Sequence, residues 1–183
     1  SENSHGCLLI GTEGRGMNYY RHGRLGKVKG SERLFQIHSI SPQNDSTIWV
    51  VTGRDFAYRC RTTVANGIPA ITSVDSIGFR NIFKARTQIY DIEIQDDSTI
   101  WFGSKGYGCL IYHSNTGKSE LLRFPKEYGV AINEITHISN FGDMVVSTRN
   151  SVAIHDPRKD STLIFKAPTY ISAKASMKDS NGN

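Results

Sequence analysis

Four cations recur at one place in a pattern. Arg15, Arg54, Lys105 and Arg149 each fall in the polar turn that follows a short apolar run. Arginine presents a planar fork that grips carboxylate or sulfate through two hydrogen bonds, and clustered cations focus attraction on an acidic ligand. The expectation is contact with an anionic glycan or an acidic protein. The competing reading is that surface turns commonly hold Lys or Arg for solvation alone. Tyr58 and Tyr107 stand in or near the same turns and are candidates for stacking on a sugar ring, with packing as their alternative role.

The types needed for catalysis are present without a recurring set. His5, His22, His38, His113, His137 and His155 show neither HExxH nor paired metal-ligand spacing. Glu93, Glu134, His38 and His137 are the available acid-base groups, and sequence does not give their mutual geometry. Gly103-Ser-Lys-Gly-Tyr-Gly108 lies between strand-like runs with no helix to receive a phosphate, so its glycines read as a hairpin turn. Cys7, Cys60 and Cys109 are odd in number and form no CxxC pair, so neither a disulfide framework nor a zinc site follows. No catalytic residue, metal ligand or cofactor is expected.

The elements that position the cations come from a repeat. Asp45-Ser-Thr-Ile-Trp-Val-Val-Thr52 and Asp97-Ser-Thr-Ile-Trp-Phe-Gly-Ser104 share five consecutive residues, and Gly6-Cys-Leu-Leu-Ile-Gly-Thr12 and Gly142-Asp-Met-Val-Val-Ser147 fit the same frame. The Trp position is filled in turn by Leu9, Trp49, Trp101 and Met144, at intervals of 40, 52 and 43 residues. Such periods mark propeller blades or helical arrays. Alternating segments precede each Trp position at Phe35–Ile40, Ile89–Ile94, Ile132–Ile138 and Tyr170–Ala175. Short β-prone runs follow at Met17–Tyr20, Phe56–Arg59, Leu110–Tyr112 and Val152–Ile154, with further runs at Leu121–Phe124 and Leu163–Phe165. Two-residue alternation and Gly, Asn, Asp and Ser punctuation indicate strands and hairpins, four per repeat.

The fold expected is all-β: about four propeller blades of four antiparallel strands, with repeats at approximately 1–40, 41–94, 95–138 and 139–183 in a single propeller segment. Ile92, Trp101 and Ile111 should pack between blades. The long second repeat places an elaboration within 62–84, with turns expected at Asn66-Gly67-Ile68-Pro69 and Ser76-Ile-Gly-Phe79. Asp179-Ser-Asn-Gly-Asn183 resembles the turn before a fifth copy.

The chain has 183 residues, 38% of them hydrophobic and 21% charged, enough to bury a core. Net charge is +5, yet no block of consecutive cations marks a nucleic-acid tail, so nucleic acid is not an expected partner. No apolar run approaches the roughly 18 residues of a membrane span, and the first residues lack signal-peptide features.

Ile92-Glu-Ile-Gln-Asp-Asp-Ser-Thr-Ile-Trp-Phe-Gly-Ser104 with Gly106-Tyr-Gly-Cys-Leu-Ile-Tyr112 resembles the two-component regulator propeller repeat, as does Leu9-Ile-Gly-Thr12 with Gly14-Arg-Gly-Met-Asn-Tyr-Tyr20. The resemblance covers almost the whole chain. Thr47 and Thr99 replace a usual Gly, and Val51 replaces the Gly of a Gly-Thr pair. The resemblance implies the periplasmic sensor region of a hybrid histidine kinase, sensing oligosaccharides without catalysis in this segment. The kinase and the membrane link would then lie elsewhere in a parent protein. It also implies neighbouring blades, because four fall short of the family's usual ring; closure by four blades is the alternative. Two other functions stay open: a lyase similar to streptogramin lyases, and a purely structural or homodimerising segment.

Overall fold

Apolar residues at alternate positions give a strand one buried face, and two such faces pack as stacked sheets. In a computed structural model describing residues 6–128 and 131–166, these residues form four sheets whose strands follow chain order. The first holds β1 (Leu8–Gly11), β2 (Met17–Arg21) and β3 (Arg24–Lys27). The second holds β4 (Ser39–Asn44), β5 (Thr47–Val51), β6 (Phe56–Ala65) and β7 (Ile68–Gly78). A single helical turn, α1 (Arg80–Phe83), leads to the third sheet, made of β8 (Ile89–Ile94), β9 (Thr99–Ser104), β10 (Cys109–His113) and β11 (Lys118–Leu122). The fourth holds β12 (Ile135–Asn140), β13 (Met144–Thr148), β14 (Ser151–Asp156) and β15 (Ser161–Lys166). These are antiparallel β-propeller blades. The segments Tyr170–Ala175 and Asp179–Asn183 lie outside the described residues.

The chain divides into two compact units, 1–92 and 93–183, with the boundary inside β8. In the first, Leu9 and Met17 pack with Ile48, Val50 and Cys60 of the following sheet. In the second, Trp101 and Ile111 pack with Met144, Val146 and Ala153. Each core is thus built between successive blades. A glycine at or near the end of β1 and of β9 has a specific use. A Cβ at Gly11 would come within 2.5 Å of Ile37 Cγ2, and one at Gly103 within 2.6 Å of Ile135 Cγ2. Only a bare backbone lets the isoleucine that enters the next blade sit so close.

The Trp hairpins share a further device. Trp49 Nε1 donates to Gln43 Oε1 at 3.0 Å and Trp101 Nε1 to Gln95 Oε1 at 2.7 Å, so each buried indole N–H finds a partner at the end of the strand before it or in the residue just after. Between the strands, Asn44 Oδ1 accepts the Ser46 amide and Asp96 Oδ1 accepts those of Ser98 and Thr99. Burial works against the Asp96 charge, but these amide bonds and the Ser98 and Thr99 hydroxyls outweigh it and hold its carboxyl below the ordinary value.

Three expectations change, one of them at Ile132–Ile138, where β12 begins only at Ile135. Phe35–Ile40 does not form one strand: Gln36 has φ +49°, and β4 begins only at Ser39. Ser76–Phe79 is not a turn, because Ser76, Ile77 and Gly78 continue β7 against Tyr58, Ala57 and Phe56. The elaboration is instead a long hairpin whose Asn66-Gly67 turn has φ +52° and +77°, the geometry an Asn-Gly pair favours. A bulge between Arg61 and Thr62 redirects its tip, which reaches residue 29: Ile71 N donates to Lys29 O at 2.7 Å.

All three cysteines are buried thiols. Burial pushes the Cys60 thiol from 9.0 to about 12, with Arg33 pulling it down and Asp75 adding to the rise. The folded chain therefore keeps its proton where the unfolded chain loses it. The contribution to stability is intact below pH 9 and declines as pH rises from there toward about 12. At pH 8.5 Cys60 should react with a thiol reagent only as fast as the chain opens. Immediate modification of native protein, mapped to Cys60 by mass spectrometry, would contradict this.

Candidate functional site

Three of the turns that follow the Trp-position strands, those after β1, β9 and β13, are closed by a hydroxyl at the strand end. Thr12 Oγ1 donates to Gly16 O at 2.9 Å, Ser104 Oγ to Gly108 O at 2.7 Å, and Thr148 Oγ1 to Ser151 O at 3.0 Å. The cation of each turn sits inside that closure, so its backbone is fixed before any ligand arrives.

In the first unit, Arg15 is exposed and bridges to Phe35, with its guanidinium 4.9 Å from the centre of the Phe35 ring. Gly16 N donates to Leu34 O at 2.7 Å, which ties the turn to the following chain. Arg54 is exposed, and its carbonyl accepts Ile89 N at 3.2 Å. Tyr58 is half-buried in β6, edge-on to Phe56 at 5.1 Å and packed against the core of this unit. Packing thus occupies much of its ring.

In the second unit, Lys105 and Arg149 converge on one residue. Lys105 forms a backbone bridge with Glu134, and Arg149 Nη1 lies 2.9 Å from Glu134 Oε2. The Arg149 and Glu134 side chains remain 49% and 32% exposed, so an anionic ligand would compete with a solvated carboxylate rather than a buried one. Tyr107 is half-buried beneath Arg123, whose guanidinium lies 6.0 Å from the ring centre.

One residue that sequence reasoning did not single out organises this turn. Asn133 O accepts Gly106 N at 2.9 Å and Gly108 N at 3.1 Å. Its side chain accepts Phe124 N at 2.9 Å and donates to Phe124 O at 3.0 Å. Nothing in an alternating β-prone segment distinguishes such an asparagine beforehand.

Two of the acid-base candidates, His38 and His137, are engaged locally. His38 stacks on Tyr90 at 5.3 Å with 5° between the planes, and Tyr90 Oη donates to Gln88 at 2.8 Å. His137 Nε2 lies 2.8 Å from Ser139 Oγ. Among the described residues no three His, Cys, Asp or Glu side chains are grouped to hold a metal ion. A cleft of about 390 Å³ in the second unit is lined by Gln95, Trp101, His113, Glu120 and His155. There Trp101 and His155 touch at 5.3 Å, and His155 Nδ1 is 2.9 Å from Thr162 Oγ1. Among the described residues no helix is long and apolar enough to cross a membrane.

No family model and no curated protein matches the chain. Solved structures do share the fold. The extracellular domain of the putative one component system BT4673 from B. thetaiotaomicron superposes with a TM-score of 0.70 at 14% identity, covering 93% of this chain and 24% of that one. The WD40 β-propeller domain of Doa1 gives 0.65 at 14% identity over 97% of this chain and 55% of that one. YCF48 from Cyanidioschyzon merolae gives 0.60 at 18% identity over 92% and 49%. The chain thus spans between a quarter and about half of these proteins, and what it shares with them is the β-propeller blade architecture that its repeats resemble.

Proposed function

We propose that this chain is a sensing segment from the extracytoplasmic region of a two-component-type regulator. In this reading it contacts an oligosaccharide through its cation-bearing turns and passes the signal on without chemical turnover. The observation that carries the reading is the recurring turn: a hydroxyl-closed loop carries Arg15 after β1, Lys105 after β9 and Arg149 after β13, and Arg54 follows β5. Propellers of unrelated function share the fold, so function is argued from these turns and not from the blades. The repeat resemblance and the shared fold with a sensor ectodomain supply the regulator context.

Arginine forks at preset positions recognise carboxylate or sulfate groups of an acidic glycan, and Tyr107 offers an aromatic surface beside them. Arg15, Arg54, Lys105 and Arg149 are the residues proposed to bind, with Tyr58 and Tyr107 flanking. Neighbouring blades of a parent protein would complete the surface.

The test is a thermal-shift screen of this chain, and of a version extended by further blades, against neutral and acidic oligosaccharides. Stabilisation by a ligand at 100 times its Kd is about 2.7 kcal/mol. Changing all four turn cations to Gln should abolish the shift given by an acidic ligand. An unchanged shift overturns the assignment of the turns, and metal-dependent turnover of a ligand would favour a lyase. Self-association alone, with no ligand response, would favour a structural role.

A further inference from the structure

The outer hairpin of the first blade carries a cluster outside those turns. β2 passes into β3 through His22 and Gly23, with φ of +47° and +76°, so Arg21 and Arg24 become direct cross-strand partners. Like charges placed opposite each other repel. Among the described residues neither arginine nor His22 has an acidic partner. Arg21 Nε is buried and makes no hydrogen bond, and a buried donor without a partner is unfavourable. The tip of the β6–β7 hairpin leaves room for this arginine. A Cβ at Gly67 would lie 2.7 Å from Arg21 Nη1, so the guanidinium rests over bare backbone. Tyr19, Arg21, His22 and Arg24 face Asn66–Ile68 across a cleft of about 640 Å³.

Surface turns holding an arginine are ordinary; two opposed arginines without a counter-charge, in a cleft, are not. We propose that this cleft binds a dianionic oxyanion, the phosphate group of a small ligand. Two guanidinium forks match the two charges of such a group, whereas a monocarboxylate leaves one charge uncompensated. The cleft has more room than a bare ion fills, which suits a phosphate monoester. The site lies at the β2–β3 end of the blade and does not rest on the sensing reading.

The test is an NMR titration of the whole chain at pH 8 and constant ionic strength, with inorganic phosphate, inorganic sulfate, glucose 6-phosphate and glucuronate as probes. Saturable shifts at residues 19–24 and 66–68 are expected for the dianions, with glucuronate at least tenfold weaker. Arg24 is exposed, so Arg24→Gln should fold normally and weaken phosphate binding at least tenfold. Arg21→Gln should do the same, and Lys118→Gln should leave binding unchanged. Tighter binding of glucose 6-phosphate than of phosphate identifies an ester ligand, and equal binding identifies the ion; either supports the site. Absence of saturation, wild-type affinity in Arg24→Gln, or equal affinity for glucuronate overturns it.

Discussion

Trp101→Ala should destabilise the second unit by about 3–5 kcal/mol, the range for removing a large aromatic from a packed interior. Trp101 is only 1% exposed, and its indole contacts both the following blade's apolar residues and His155. The surrounding side chains cannot collapse cheaply into the space left, because Ile111, Met144 and Ala153 are themselves held in paired strands. The substitution also strands the Gln95 side chain, whose Oε1 loses its donor. Trp101→Phe retains most of the apolar contact and should cost about half as much. Urea unfolding followed by far-ultraviolet circular dichroism reads both variants. A loss under about 1 kcal/mol for Trp101→Ala would show that the Trp position is not the interior anchor that its burial indicates.

Gly108→Ala should cost about 3 kcal/mol, through two separate effects. Gly108 has φ +82°, a conformation a β-carbon disfavours. The added carbon would also collide with the Leu122 carbonyl oxygen and approach Asn133 Oδ1 to 3.0 Å. Both obstacles are fixed: one is backbone in β11, and the other is clamped to Phe124 by two hydrogen bonds. The side chain of Lys105 is carried by the same turn, so any ligand contact there should weaken together with stability. Gly106→Ala is the control. Gly106 also has positive φ, at +90°, but no heavy atom lies within 4 Å of its would-be β-carbon, so it bears only the conformational part of the cost. Equal losses for the two variants, by the same unfolding measurement, would remove the steric part of the argument.

The blades were legible because their signals are local. Trp49 and Trp101 sit in identical five-residue words, and β8 coincides with the Ile89–Ile94 alternation. The strand at Phe35–Ile40 was misplaced because apolar spacing cannot register that Gln36 adopts positive φ. Ser76–Phe79 misled for the opposite reason. A glycine in a strand looks like a turn, yet Gly78 pairs with Phe56 at the end of an extended ladder. Among the turn cations, the sequence located Arg15, Arg54, Lys105 and Arg149 but not Glu134's grip on Arg149, which joins residues 15 positions apart. The Gln43 and Gln95 bonds to the indoles were in principle readable, since each Gln stands six residues before its Trp. The Arg21–Arg24 pairing was hidden, because it depends on the register of a two-residue turn.

The bond from Ile71 N to Lys29 O has a consequence for biosynthesis. Among the described residues the named strands pair with neighbours in chain order, so most of each blade can form as soon as its own strands are made. The segment at Lys29 and Gly30 is different. Its partner Ala70 arrives 41 residues later, and at roughly 5–20 residues per second a ribosome needs about 2–8 s to supply it. During that interval the segment after β3 lacks its partner, which the β6–β7 hairpin then supplies. Co-translational order therefore runs backward here: much of β6 and β7 must be synthesised before the segment after β3 finds its partner.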